Sequence, residues 1–541
     1  MEKPQFVNKH AKLGIEKEEI ERKWRLYEEE QGHMKILMGI SSPGNAWSIP
    51  FISTWKTDNL ATGSSASNQV QLPLIPDGSY NFLVNWGDNS ISSISSWNQP
   101  ETLHTYATPG TYTITITGAI RGWDWGTGTS ATTPTTGDRV KILTITQWGC
   151  LRFVDKGEST LVWGAFYRCT NLTLLTVTDT PNFEGTTSTL GMFRGCSAIT
   201  TINNINQWDV SGIKYFRSMF REMPLFNDNI GNWNTSSATN FIAMFFGGST
   251  ATGVFNNGGS DSIKNWNTAN VTDMSNMFQN QVAFNQEIGT WNVGKVTSMV
   301  SMLACNATTT QFLGVFNNGG STSINNWNTS SVTNMNALFT GQRFFNQPVG
   351  SWDTSKVTNM TSLFYASQIS GYPGAFNQDI SNWNTSAVTQ MQAMFYHQPV
   401  FNQNIGSWNV SKVTNFSFMF ATFAAALGAF NNGGSSSINN WNTALATTMQ
   451  AMFQNQSGFN QPIGNWNVSL VTSFTNFMAG KTNLNYSTAN YDALLIGWAS
   501  RPVQASRSIS FGTIKYTSAA TASRAVLTGA PNSWTIVDGG L

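Results

Sequence analysis

The 541-residue sequence has little charge, little histidine and almost no cysteine. Charged residues are 11% of the chain and the net charge is +1, against roughly 25% charged residues in an ordinary soluble domain. No strong field therefore draws the chain to nucleic acid or to acidic lipid. The four cysteines, Cys150, Cys169, Cys196 and Cys305, form no CxxC pair, which argues against a zinc site and leaves disulfide connectivity open. His10, His33, His104 and His397 lie too far apart in sequence to suggest a histidine-based triad or metal cluster. No run approaches the roughly 18–20 apolar residues that span a bilayer, so no transmembrane segment is expected. The first thirty residues lack the apolar stretch of a secretory signal, so a route other than ordinary export is expected.

What replaces charge is Asn, Ser, Thr, Gln and Gly, with 47 Gly and 21 Trp. Such a chain is too long for one core, and its composition changes along its length. Residues 1–40 are by far the most densely charged stretch. Within them Ile15, Ile20, Trp24 and Tyr27 recur at roughly helical spacing, which predicts a short amphipathic docking helix. Its expected partner is a capsid or envelope protein. The alternative is a solvated leader.

Residues 45–140 alternate apolar and polar side chains between Gly, Pro and Asp turns, which predicts strands. The segments YNFLVNWGDNS (80–90) and HTYATPGTYTITITG (104–118) resemble the PKD-type, immunoglobulin-like β-sandwich family, with Asn89 in place of the last Gly of its WGDG turn. The resemblance implies a spacer module in a surface protein. Asp88 is read as a turn residue rather than a Ca²⁺ ligand.

Residues 141–482 repeat. The unit is F-N-Q-x-I-x-x-W-N-x-S-x-V-T-x-M-x-x-M-F, with a clean copy at 376–395. Its Trp recurs at Trp208, Trp233, Trp266, Trp291, Trp327, Trp352, Trp383, Trp408, Trp441 and Trp466. The steps from Trp208 to Trp233, Trp266 to Trp291 and Trp327 to Trp352 are equal, and longer steps of varying length fall between them. A short unit of constant length thus alternates with a longer one. A recurrence of this size indicates a solenoid of about 12 turns whose equivalent side chains stack into one core. The segment N-Q-x-I-x-x-W is expected to be a strand paired in parallel with its copies. V-T-x-M-x-x-M-F is expected to form a helical or 3₁₀ turn capped by its Thr. Asn285, Asn346, Asn377, Asn402 and Asn460 share one phase, which predicts an amide ladder. Cys169 and Cys196 lie at one phase of successive units and read as small apolar ladder residues. Charged residues are sparse across 203–480, which avoids stacking like charges.

This unit resembles the BspA-like leucine-rich-repeat surface proteins over roughly 140–541. NYDALLIGWAS (490–500) and SWTIVDGGL (533–541) look like that family's closing segment. The whole reads as mainly β with short helical turns: an LRR-like right-handed solenoid preceded by a β-sandwich and a short N-terminal helix. The expected domains are 1–40, 45–140, 141–482 and a C-terminal cap at 483–541. The resemblance implies display on the surface of a cell or virus particle and recognition of a receptor or glycan, with no enzyme activity and no cofactor. A structural virion role (fibre, spike or capsid decoration) anchored by the leader is the alternative, and the repeated surface also admits a homo-oligomer. A carbohydrate-active enzyme is disfavoured. Asp209, Asp228, Asp261, Asp273, Glu287, Asp353 and Asp379 occupy phases where other copies mostly carry Asn, Ser or Thr. Asn256, Asn257, Asn317, Asn318, Asn431 and Asn432, beside paired glycines in the long units, are the candidate binding residues; turn chemistry is the competing reading.

Overall fold

The computed structural model describes residues 49–125, 137–158, 164–248, 252–306, 308–310, 313–424 and 427–541. It divides into two compact units. One comprises residues up to 154 with 171–184, the other 155–170 with 185–541. The described chain is mainly β with few helices, and its sheets are open.

The first unit holds β1 (Phe51–Lys56), β2 (Gln69–Gln71), β3 (Leu74–Asn85), β4 (Ile91–Ile94), β5 (Leu103–Thr105), β6 (Thr111–Trp123), β7 (Ile142–Gln147) and β8 (Leu151–Arg152). The main sheet runs β4-β3-β6-β1-β7, with β8 parallel to β6; β2 and β5 form a separate pair. Period-two burial in β1 and β6 sends Phe51, Trp55, Ile114 and Ile116 inward. Strand β7 lies beyond residue 140 and belongs to this sheet. β1 pairs on both sides, with β6 and with β7, so the sheet continues past that point. Lys141, at the start of this extension, is fully buried. Its Nζ lies 3.2 Å from Asp138 Oδ1 and donates to the carbonyls of Ser65, Ala66 and Gln69 at 2.8–3.1 Å. Those bonds replace the water that burial removes.

In the second unit each repeat is joined to its neighbours by the same few bonds. Isolated parallel bridges link Asn240, Asp273, Ser298, Asn334, Asn359, Gln390, Asn415, Thr448 and Ser473 in succession. These are the x of V-T-x-M, so the β pairing falls there and not on N-Q-x-I-x-x-W, as the sequence pattern suggested. The preceding Thr does not cap a helix. Its N–H and hydroxyl donate to the same Thr carbonyl of the previous repeat, as Thr358 does to Thr333 at 2.9 and 3.2 Å. M-x-x-M-F is a run of overlapping i→i+3 turns rather than a helix. Its second x, Ser301, Ala337, Ser362 or Ala393, is left-handed at φ +51° to +56°. That residue's N–H then faces the next repeat, as Ala337 does toward the Thr361 carbonyl at 2.8 Å. The 3₁₀ helices lie elsewhere: Asp261–Asn265, Thr322–Asn326 and Ser436–Asn440 precede the Trp of three long units. Ser260, Ser321 and Ser435 cap them.

Side chains stack in register. Phe226, Phe255, Phe284, Phe316, Phe345, Phe376, Phe401, Phe430 and Phe459 lie 5.9–6.3 Å apart, with planes within 16° of parallel. The Phe that closes one unit also packs on the Phe that opens the next, as Phe339 does on Phe345 at 3.9 Å. Each repeat Trp from Trp233 to Trp466 donates its indole N–H to the Ile or Val carbonyl of the previous repeat at 2.7–3.2 Å. Burial of the rings and satisfaction of the carbonyls thus come from one side chain.

The long units rejoin the repeat through a Gly–Gln pair. Gln342 accepts from the Phe316 N–H at 2.8 Å and donates to the Leu303 carbonyl at 2.5 Å. Gln281, Gln398 and Gln456 do the same for Phe255, Phe376 and Phe430. A Cβ on the facing glycine, Gly253, Gly314, Gly374 or Gly428, would lie 1.9–2.2 Å from that Gln. Lack of space, not a positive φ, requires Gly here.

The last repeat is sealed by α1 (Thr488–Ala499), β9 (Ser508–Ser510), α2 (Thr521–Thr528) and β10 (Thr535–Val537). Trp498, Arg501, Gln504 and Arg507 donate to the carbonyls of Ile463, Gly464, Ser469 and Thr472 at 2.8–3.3 Å. They cover what would be an unpaired edge.

Two outcomes follow. Gln342→Leu strands the Phe316 N–H and the Leu303 carbonyl, at about 1–3 kcal/mol for each group. Gly314→Ala crowds the same amide. Urea denaturation of Gln342→Ala, of Gly314→Ala and of the two combined should show the double variant losing less than the sum; strict additivity would disprove the clamp. Separately, burial holds the Lys481 ammonium at about 7. Because the folded value lies below the free one, the destabilisation is complete below pH 7 and fades as pH rises toward 10.5. Lys481→Gln should therefore raise the melting temperature most below pH 7. A gain independent of pH would refute this.

Candidate recognition face

The residues that repeat face inward or into the bonds between repeats. Those that vary sit just after the second Phe: Arg194, Arg221, Phe246, Gln279, Thr340, Tyr365 and Tyr396, all but Arg194 partly exposed. This row divides into three chemistries. At one end Glu222 takes Arg194 and Arg221 at 3.1 and 3.0 Å, and the Arg221 guanidinium lies 4.4 Å from the centre of the Phe246 ring. Burial opposes ionisation of Glu222, but the two arginines outweigh it and hold the carboxyl below its ordinary value. At the other end Tyr365 and Tyr396 stack at 4.7 Å, and Phe423 meets Tyr396 and His397 edge-on. Burial pushes both phenols up and keeps the His397 ring from protonating at its usual pH.

Between them lies a cleft of about 500 Å³. Phe246 and Tyr365 line it together with Gln279, Ser301, Asn336 and Thr340, and none of its lining residues is charged. Ala304 takes the place occupied by Gln279 and Thr340 in adjacent repeats, which lowers the floor. The left-handed positions beneath, Ser301, Ala337 and Ser362, carry small side chains.

The asparagines proposed as binding residues are placed otherwise. Asn257, Asn318 and Asn432 are fully buried with φ +51° to +52°. Their Oδ1 atoms accept from the N–H of Ile230, Ile288 and Ile405 at 2.8–2.9 Å. That burial withdraws them from any surface ligand. Asn256, Asn317 and Asn431 belong to the amide ladder with Asn285, Asn346, Asn377, Asn402 and Asn460. Each Oδ1 from Asn256 to Asn431 accepts the backbone N–H of the next Asn at 2.7–3.0 Å, and that of Asn460 accepts from the Ser487 N–H at 2.9 Å. Glycine at the NNGG turns supplies positive φ. The sequence pattern did locate the ladder; it missed that Asn256, Asn317 and Asn431 serve it and that their neighbours hold the turns.

The ten repeat Trp residues are buried, from Trp208 at 3% exposure to Trp466 at 0%. Docking residues Ile15, Ile20, Trp24 and Tyr27 lie outside the described residues. All four cysteines are buried; Cys150, Cys196 and Cys305 carry no disulfide, and the Cys196 thiol donates to the Phe166 carbonyl at 2.9 Å. Asp209, Asp353, Asp379 and Asp273 each accept the backbone N–H two residues on, as Asn234, Asn384, Asn229 and Asn240 do in other repeats. In the first unit, Asp88 binds Ser90 N and His104 Nε2 at 3.0 and 2.8 Å. Burial disfavours the charge, yet the Ser90 hydroxyl and His104 outweigh it and hold the carboxyl at about 2. One His104 nitrogen faces both Ser90 and Asp88, and the Ser90 hydroxyl donates to Asp88, so Ser90 is not lined up as a nucleophile. His104 instead stacks on Trp86 at 4.7 Å and meets Tyr106 at 4.4 Å, and the Tyr106 hydroxyl donates to the Trp86 carbonyl. Among the described residues no helix is long and apolar enough to cross a membrane, and no group of three or more metal-binding side chains occurs.

No curated protein and no solved structure matches the chain. A family described as "Mycoplasma protein of unknown function, DUF285", which groups with the BspA-like repeats, matches residues 187–316, 310–432 and 423–508, more than half of the chain. The chain therefore belongs to the DUF285 repeat family.

Proposed function

We propose that the chain is a non-catalytic recognition protein displayed on the surface of a cell or virus particle, and that its repeats form an LRR-like right-handed solenoid that presents one variable face to a receptor or glycan. The observation that carries this reading is the division of labour within each repeat. Asn, Trp and most acidic side chains are engaged in bonds inside the stack. The position after the second Phe runs from Arg221 through Phe246, Gln279 and Thr340 to Tyr365. A position that no consensus fixes can change from repeat to repeat, which is how solenoids build broad binding surfaces. Membership of a surface-repeat family supports display. The first unit acts as a PKD-type spacer; the cluster of Trp86, Asp88, His104 and Tyr106 supports that assignment.

A second reading is favoured by the charge concentrated in residues 1–40. They would anchor the chain to a capsid or envelope protein as a fibre, spike or decoration, and self-association into a homo-oligomer would suit that role.

Antibody against the repeats should label intact source cells or particles without permeabilisation. The labelled full chain should also bind target cells saturably. Labelling only after lysis would overturn the display reading. Deleting residues 1–40 separates the alternatives: loss of the chain from purified particles supports a virion anchor, and unchanged incorporation rejects it.

A further inference from the structure

We propose that the uncharged cleft between Phe246 and Tyr365 is a binding site for a neutral oligosaccharide. The proposal rests on the recognition reading above and deepens it by naming place and ligand chemistry.

Four observations lead there. The cleft, at about 500 Å³, falls in the range of ligand sites, roughly 300–1,000 Å³. Its walls carry amides and hydroxyls but no Asp, Glu, Lys, Arg or His. A sulfated, sialylated or phosphorylated ligand would lose water there with no counter-charge to receive it. A neutral sugar presents hydroxyls that both donate and accept, and so does each amide.

Second, two amides remain unspent. The ladder asparagines give their Oδ1 atoms to the next repeat. The side chains of Gln279 and Asn336 make no hydrogen bond among the described residues, and both are half-exposed in the cleft. In a stack whose polar side chains are otherwise heavily committed, these are donors and acceptors held available.

Third, an aromatic ring stands at each end, Phe246 and Tyr365, and Tyr365 continues into the stacked Tyr396. Rings of this kind offer an apolar face to the C–H side of a pyranose, while the amides between them meet its hydroxyls. Fourth, the lining residues come from successive repeats, so the cleft extends across several of them, as an elongated ligand requires.

The test uses the full chain and a panel of cello-, chito-, manno- and galacto-oligosaccharides, with heparin and sialyllactose as anionic members. Binding is read by calorimetry and by change in Tyr and Trp fluorescence. A neutral oligosaccharide should bind. Asn336→Trp, which fills the cleft, and Tyr365→Ala, which removes one ring, should each weaken it at least about tenfold. Asn336→Ala should weaken it less and leave the melting temperature within a degree or two, which separates a lost contact from a lost fold. The proposal is overturned if no neutral member binds, if only the anionic members bind, or if Asn336→Trp leaves affinity unchanged. Target-cell binding by the same variants distinguishes the two readings. If Asn336→Trp still binds cells, recognition stands and this cleft is not its site; if the unaltered chain binds no cell, recognition itself fails.

Discussion

Each repeat depends on its neighbour for hydrogen bonds that it cannot make alone. A unit this short has too little chain to close its own sheet. Its amide, indole and threonine groups therefore find partners one unit away, at the same phase. Asn377 gives its N–H to the Asn346 carboxamide, Trp383 gives its indole proton to Val349, and Thr389 reaches Thr358. Identical side chains must then lie over one another. That geometry rewards Phe and Trp, which stack, and Asn, whose carboxamide oxygen accepts from the neighbour. It penalises charge, which would face its own copy. The low charge of the repeats follows from this register rather than from any need of the surface.

Much of this was legible because periodicity survives in sequence. The core Phe, Ile, Trp, Val and Met positions and the Asn phase could be read from spacing, and the closing segment from the resemblance to the BspA-like repeats. Local conformation could not. N-Q-x-I-x-x-W looked extended because it is short, yet its bonds run through Asn and Trp side chains. V-T-x-M-x-x-M-F showed helical spacing, but Ala337 or Ser362 at positive φ breaks the helix and turns its N–H to the next repeat. No residue type marks that site, since Ala, Ser, Asn and Phe418 all occupy it. The Gly314–Gln342 clamp was invisible for another reason: its members belong to different units and meet only once the register is set.

The candidate cleft was the least legible feature. Asn-Asn-Gly-Gly turns attract attention because they depart from the repeat, yet Asn257, Asn318 and Asn432 are buried to hold those departures in place. Recognition chemistry would sit instead at a phase with no consensus, where sequence pattern has nothing to report. Ala304 among Gln279, Thr340 and Tyr365 is an ordinary substitution in a list of residues. Only when the four stand in one row does the short side chain become a depression between longer ones.

The same logic accounts for the return of charge at the end of the stack. A ladder in which each repeat's carbonyls are met by the next leaves the last repeat with acceptors and no donors. Ile463, Gly464, Ser469 and Thr472 are such carbonyls, and Phe459 is another. Trp498, Arg501, Gln504, Arg507 and Lys481 supply the protons. All of these side chains except Gln504 carry only donors, which is what a row of carbonyls requires. Lys481 stands where earlier repeats have Gln281, Gln342, Gln398 and Gln456. Those glutamines needed an acceptor as well, for the N–H of a long unit. No long unit precedes Lys481, so the acceptor is dispensable there and a buried ammonium, held against the Phe459 and Asn485 carbonyls, takes the place of an amide.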